Sequence, residues 1–152
     1  MNQHFRIYTD GSSIGNPGPG GWGAVIIQGK QRREMFGAFP WTTISEMELL
    51  AAIEALRSMP TGARIELYSD SELLIYGMRG FVLRWQDQGW RNRRGAALQH
   101  RNLWTQLMRL NCELHIQWRW LRGHNGHPQQ TRADALAYRA AKSLLTNQRL
   151  AA

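Results

Sequence analysis

The apolar residues change their spacing near Pro40, and that change limits what the chain can fold into more than any other feature. Before it the spacing is two. Phe5, Ile7 and Thr9 alternate with Arg6 and Tyr8, Gly23-Ala24-Val25-Ile26-Ile27 makes a second run, and Glu34 to Phe39 a third, closed by Pro40. Gly11-Ser12-Ser13 ends the first run, and Gly15-Asn16-Pro17-Gly18-Pro19-Gly20-Gly21 carries turn chemistry at every position. With Gly29-Lys30 as the next turn, these strands form an antiparallel meander. From Ser45 to Met59 the spacing is helical, through Leu49, Ile53 and Leu56, until Pro60 and Gly62 stop it.

Arg64 to Tyr68 alternates again as a strand. Ser71 to Met78 and Phe81 to Gln88 read as short helices punctuated by Gly77 and Gly80, and Gly89-Trp90-Arg91-Asn92-Arg93-Arg94-Gly95 is an excursion rich in glycine and arginine. A helix over Arg101 to Leu110, a strand over His115 to Trp120 and an alanine-rich helix over Gln130 to Leu145 complete the order βββαβαααβα. Strands four and five each follow a helix, so right-handed crossovers lay them parallel to strand one. The predicted fold is a mixed α/β (α+β) one: a five-stranded mixed sheet flanked by helices, with any ligand beyond the carboxyl ends of its parallel strands. No repeat or low-complexity linker appears, so a single domain over residues 1–152 is expected.

Composition narrows the function. Hydrophobic content of 43% and charged content of 20% exclude a disordered chain. No apolar run approaches the ~20 residues that span a bilayer, and the opening residues lack the pattern of a leader peptide. Cys112 is the sole cysteine, which excludes an internal disulfide and a cysteine-rich zinc site. Its thiol, between Leu110 and Leu114, is expected to pack, and a reducing cytoplasm fits it. Nineteen Lys and Arg against eleven Asp and Glu give +8, with arginine far in excess of Lys30 and Lys142. Guanidinium grips phosphate in a planar, bidentate way, so the excess points toward nucleic acid, although a cationic surface also serves solubility alone.

Four acids stand where chemistry is expected. Asp10 ends the first strand and Asp70 the fourth; if those strands are neighbours, both carboxylates emerge at one edge. Two carboxylates that close repel, and a divalent cation between them relieves the repulsion. Each also has a structural reading, Asp10 as a turn former before Gly11 and Asp70 as an N-cap before Ser71-Glu72-Leu73. Glu48 shares a helix face with Ala51, Ala52 and Ala55, small residues that permit close approach to the sheet. Ser45 with Glu48 also spells a capping box, but Thr43 with Glu46 does so equally and leaves Glu48 free. Asp134 follows Thr131 near the start of the last helix, again a capping spacing. His124, flanked by Gly123 in a loop that also holds His127, suits a proton carrier better than a zinc ligand.

Taken in order, Tyr8-Thr9-Asp10-Gly11-Ser12, Gly15 to Gly21, Met47-Glu48-Leu49, Ser69-Asp70-Ser71, Trp118 to His124 and Arg132-Ala133-Asp134 resemble the type 1 ribonuclease H family, closely its bacterial members. The resemblance covers nearly the whole chain. It implies an endonuclease that cuts the RNA strand of an RNA–DNA hybrid and leaves 5′-phosphate and 3′-hydroxyl ends. It also implies that Asp10, Glu48, Asp70 and Asp134 bind two Mg2+ ions, with Mn2+ as a possible substitute, and that His124 assists proton transfer or product release. Phosphodiester hydrolysis needs an activated water and a stabilised leaving oxygen, and paired cations about 4 Å apart serve both ends. Such hard cations take oxygen ligands, hence carboxylates. The partner is then the hybrid, with no membrane role and a monomeric chain.

The resemblance further makes residues 81–97 a basic substrate-binding protrusion, with Arg84, Arg91, Arg93 and Arg94 on phosphates. Trp85 and Trp90 are read as local packing, and Trp104 as a further contact. Asn16 is the candidate for a 2′-hydroxyl contact. Arg84 and Thr43 are expected to share a DNA-phosphate pocket. The chain departs from the family where amides are common: Ile44, Ser45 and Glu46 follow Thr43, and Glu72 follows Ser71. Trp41 stands at an expected basic position and Arg84 at a usual Asn; Ser45 and Glu72 are carried over as substrate contacts, with the extra acid at Glu72 expected to weaken binding. Rival readings are a hybrid-binding module without activity, a transposase or integrase core, and a small zinc protein. The full set of acids argues against the first. The Trp118 to His124 stretch argues against the second.

Overall fold

The computed structural model describes residues 3–123 and 125–151, with side chains as far as residue 146. Strands β1 (His4–Ser13), β2 (Gly18–Gln28), β3 (Gln31–Thr42), β4 (Arg64–Ser69) and β5 (His115–Trp120) form one sheet in the order β3-β2-β1-β4-β5. The meander is antiparallel, while β4 runs parallel to β1 and β5 parallel to β4, as predicted from the helix between each pair. Helices α1 (Ile44–Arg57), α2 (Glu72–Tyr76), α3 (Val82–Asp87), α4 (Arg101–Glu113) and α5 (Pro128–Ala151) complete the fold. Among the described residues, no helix is long and apolar enough to cross a membrane.

The meander strands are longer than their apolar runs. Gly18, Gly20 and Gly21, read as turn, belong to β2, and β3 continues through Pro40. β3 is an edge strand, where proline's missing N–H removes no ladder bond. Two residues, Pro40 and Trp41, oppose Pro19 alone between the Phe39–Gly20 and Thr42–Gly18 pairs, so the strand bulges there.

The sheet buries both faces. On one, Ile7, Ile65 and Leu67 meet Leu49, Ile53 and Leu56 of α1 and Trp104 and Leu107 of α4. On the other, Tyr8 and Val25 meet Ala133 and Leu136 of α5. The β2 glycines explain how near α5 lies. A Cβ on Gly21 would sit 2.3 Å from the Ala137 carbonyl oxygen, and one on Gly23 2.5 Å from that of Ala133. Glu34 of β3 anchors the same helix through a two-pronged bond to Arg132, at 2.7 and 3.0 Å.

Two expectations are corrected. Cys112 does not pack; it is exposed, because it lies off the Trp104–Leu107 stripe that α4 buries. Trp104, expected on nucleic acid, is 3% exposed. Its ring lies against Gly77, in the π-helical turn between α2 and α3, and edge-on to Trp85 at 5.0 Å, so it packs the base of the excursion.

Gly23→Ala is predicted to destabilise the chain by about 1–3 kcal/mol, the usual cost of overpacking. Urea unfolding measures it, and an unchanged midpoint would mean that α5 does not approach β2 so closely.

Candidate functional site

Three of the four predicted acids converge. Oxygens of Asp10, Glu48 and Asp70 lie within 4.8 Å of one another, at the carboxyl ends of the central parallel strands β1 and β4. Asp134 lines the same cleft as Asp10 and Asp70, together with Arg122, Asn125, His127, Gln130 and Thr131; the cleft encloses about 40 Å³. His124, the loop residue of the prediction, lies outside the described residues.

Each acid is placed by a specific local device. Gly11 has no side chain to hold α1 away: a Cβ there would lie 2.4 Å from the Glu48 amide nitrogen. The helix backbone therefore crosses beside Asp10, bringing Glu48 with it. The Asp10 carboxylate accepts the Gly11 amide at 2.8 Å. Ser71, not Asp70, caps α2 by accepting the Leu74 amide, and its hydroxyl also bonds the Glu48 carboxylate. Thr43 caps α1 by accepting the Glu46 amide, so Glu48 is not spent on a cap. The α5 helix begins at Pro128, which leaves Thr131 and Asp134 inside it and removes the capping reading of Asp134. Gln130, buried, donates to the Thr9 carbonyl at 2.9 Å and registers α5 over β1; Asp134 follows one turn later on the same helix face.

The electrostatics follow from this packing. Burial pushes the Asp10 carboxyl up to about 8, and the nearby Asp70 and Asp134 charges add to the shift while the Gly11 amide opposes it. Burial also raises Glu48 to about 7, against the Ser71 hydroxyl and with Asp70 adding. Closely spaced oxygens whose ionisation is this disfavoured fit a divalent cation, which replaces repulsion by shared coordination. Among the described residues the group suited to a metal, Asp10, Glu48 and Asp70, is made of carboxylates alone.

The expected substrate residues occupy a broader surface. Asn16 is exposed and accepts the Ile44 amide, tying the β1–β2 turn to α1. Thr43 caps α1, and Arg84 lies over the Phe81 ring at 5.3 Å. Ser45 instead lines a 270 Å³ cavity with Leu73, Trp85, His100 and Trp104. Glu72, Arg91, Arg93 and Arg94 are exposed, and Trp41 is 71% exposed. Trp90 is buried and Trp85 packs against the core, as read from the sequence. Sequence reasoning missed Ser71 as a partner of Glu48, Gln130 as the α5 anchor, and Arg122 and Asn125 on the rim. The first two were hidden because a Ser after an acid and a Gln in a helix are ordinary until their partners are known.

Fold and site define a mixed-sheet protein with a carboxylate cluster suited to divalent cations. The RNase H family profile matches residues 2–142, and the chain belongs to the ribonuclease H family. It is 45% identical over 140 residues to a ribonuclease H of Hahella chejuensis, covering 92% of this chain and 95% of that one. Among solved structures it resembles LC9-RNase H1, described as a type 1 RNase H with the type 2 active-site motif, with a TM-score of 0.84 and 31% identity over 94% of this chain and 74% of that one. LC11-RNase H1, solved in complex with RNA/DNA hybrid, shares the fold with a TM-score of 0.72 at 24% identity, over 93% of this chain and 99% of that one.

The raised Asp10 carboxyl carries a stability prediction. The folded state keeps this proton up to about pH 8, whereas the unfolded chain releases it near its ordinary value of about 4. Without divalent ions, stability should therefore fall as pH rises from about 4 to about 8. Asp10→Asn keeps an acceptor for the Gly11 amide and removes the charge. Its Tm in chelator should exceed that of the unsubstituted chain at pH 8 by about 3 °C or more, the scale of about 1 kcal/mol in a chain of this size. The gap should close at pH 4, and an equal gap at both pH values would reject this electrostatic account.

Proposed function

We propose that the chain is an endonuclease that hydrolyses the RNA strand of RNA–DNA hybrids, with Asp10, Glu48, Asp70 and Asp134 holding two Mg2+ ions, for which Mn2+ can substitute. The carrying observation is the convergence of Asp10, Glu48 and Asp70 oxygens within 4.8 Å at the sheet edge where the fold presents ligands. Family membership supports the reading, as does the hybrid bound to LC11-RNase H1. When bound, the paired cations supply an activated water and a stabilised leaving oxygen, giving 5′-phosphate and 3′-hydroxyl products.

The residues of the chain do the rest. Asp10 and Glu48, pushed up by burial, give up their protons as the cations enter, so affinity rises with pH through the neutral range. His124 carries a proton or aids product release from the loop between β5 and α5. That loop is tied by the Leu121 amide to the Ser69 carbonyl at one end and by the Thr131 amide to the His127 carbonyl at the other. Residues 81–97 form a basic protrusion of a single 1–152 domain, where exposed Arg84, Arg91, Arg93 and Arg94 hold phosphates of the DNA strand. Asn16, Thr43, Ser45 and Glu72 lie on the substrate side, with Asn16 toward a 2′-hydroxyl. The chain acts as a cytoplasmic monomer.

Asp70→Asn is expected to lower hybrid cleavage in magnesium by about 10³-fold or more, the scale of losing a group central to the chemistry, without unfolding the protein. Wild-type cleavage by this variant would refute the site. A panel of hybrid, duplex RNA, duplex DNA and single strands should show cutting of the hybrid's RNA strand. Replacing Arg91, Arg93 and Arg94 together by Ala should raise KM, leave kcat unchanged and reduce the steepness of the salt dependence by about 2–3. An unchanged KM would remove the protrusion from substrate binding.

A further inference from the structure

Asp70 follows the last residue of β4, where the ladder no longer fixes the chain. The Ser69–Ser71 junction is held instead by a set of separate bonds. The Leu121 amide donates to the Ser69 carbonyl at 2.9 Å, one residue beyond β5. The Ser71 amide donates to the Ser69 hydroxyl at 3.0 Å, turning the chain toward α2. The Trp120 indole Nε1–H donates to the carbonyl of Asp70 itself, at 3.2 Å. Through Ser71 the same junction also holds the Glu48 carboxylate. A shift of this one turn would therefore misplace two acids of the cluster together.

Trp120 differs from its neighbour on the same strand face. Trp118 is 7% exposed, sits in the core and gives its indole N–H to Asn111 at 2.9 Å. Trp120 is 37% exposed, so its ring contributes less to the core, and its indole N–H bonds the acid-bearing junction. We infer that Trp120 is a positioning residue for the cation site, its indole N–H fixing the Ser69–Ser71 turn so that Asp70 and Glu48 address the same ions. The inference rests on the two-cation reading above. Groups that orient metal ligands from behind commonly alter metal affinity by tenfold or more when removed.

Trp120→Phe keeps an aromatic ring and removes the N–H, and Trp118→Phe removes an indole bond from the same strand without touching Asp70. Calorimetric titration with magnesium chloride, in the absence of nucleic acid, should show Kd weakened about 10-fold in Trp120→Phe and unchanged in Trp118→Phe. Trp120→Phe should lose kcat at limiting magnesium and regain it at saturating magnesium, with KM for the hybrid unchanged. In the unsubstituted protein the Trp120 indole N–H resonance should move on magnesium addition. Wild-type affinity in Trp120→Phe, equal weakening in both variants, or an unmoved resonance overturns the inference while leaving the two-cation reading standing. A wild-type chain that binds no magnesium overturns that reading, and the inference with it.

Discussion

Mutual repulsion among partly buried carboxylates is the constraint on which the rest of the structure depends. A chain left to itself moves such groups apart or protonates them; burial, with neighbouring charge adding to it, shifts Asp10 and Glu48 upward in that direction. Holding the oxygens within 4.8 Å requires that the backbone leave them no retreat. Gly11 lets α1 close on β1, Ser71 ties Glu48 to the β4–α2 turn, and Gln130 registers α5 against Thr9. Each restraint comes from a different element, so the site exists only in the assembled fold. That makes it a consequence of tertiary packing and not of any local segment.

The same packing sets the distribution of charge. The chain carries +8, yet three of its eleven acids, Asp10, Asp70 and Asp134, line one cleft. The arginines of the excursion are exposed and lie outside the cation cluster. An anionic polymer is drawn by the distributed cations and repelled by the bare cleft, and divalent ions reverse the sign at the cleft alone. Under the function proposed above, recognition and chemistry are thereby separated: affinity rests on a broad exposed surface, reactivity on a small buried one.

That separation explains what could be read in advance. The meander and the parallel direction of β4 and β5 followed from the period change at Pro40 and from the helices before those two strands, because burying a face forces periodicity into the sequence. Asp10, Glu48 and Asp70 were legible because an acid at a strand end or on an alanine-lined helix face violates the expected pattern. Strand lengths were less legible: Gly18 to Gly21 read as turn, whereas Gly21 makes room for α5, over a hundred residues away, and Gly20 for the Thr42 side chain. Trp104 and Cys112 were misjudged for a related reason. Whether a side chain on an amphipathic helix faces the core or water depends on a few tens of degrees of rotation, which the packing of Gly77 and Trp85 decides.

The departures from the family pattern also fall on one side of this division. Trp41, Ser45 and Glu72 are exposed or half-exposed, whereas the acids and their supports, Gly11 and Ser71, are the residues the geometry leaves least freedom to change. A phosphate contact in water can be replaced by another cation nearby, since the attraction acts over about 10 Å at ordinary salt. A carboxylate held within ångströms of two others has no such substitute: displacing it removes coordination and leaves its partners repelling one another. Tolerance at the surface and intolerance at the cleft are two results of one physical difference, the range over which each interaction acts.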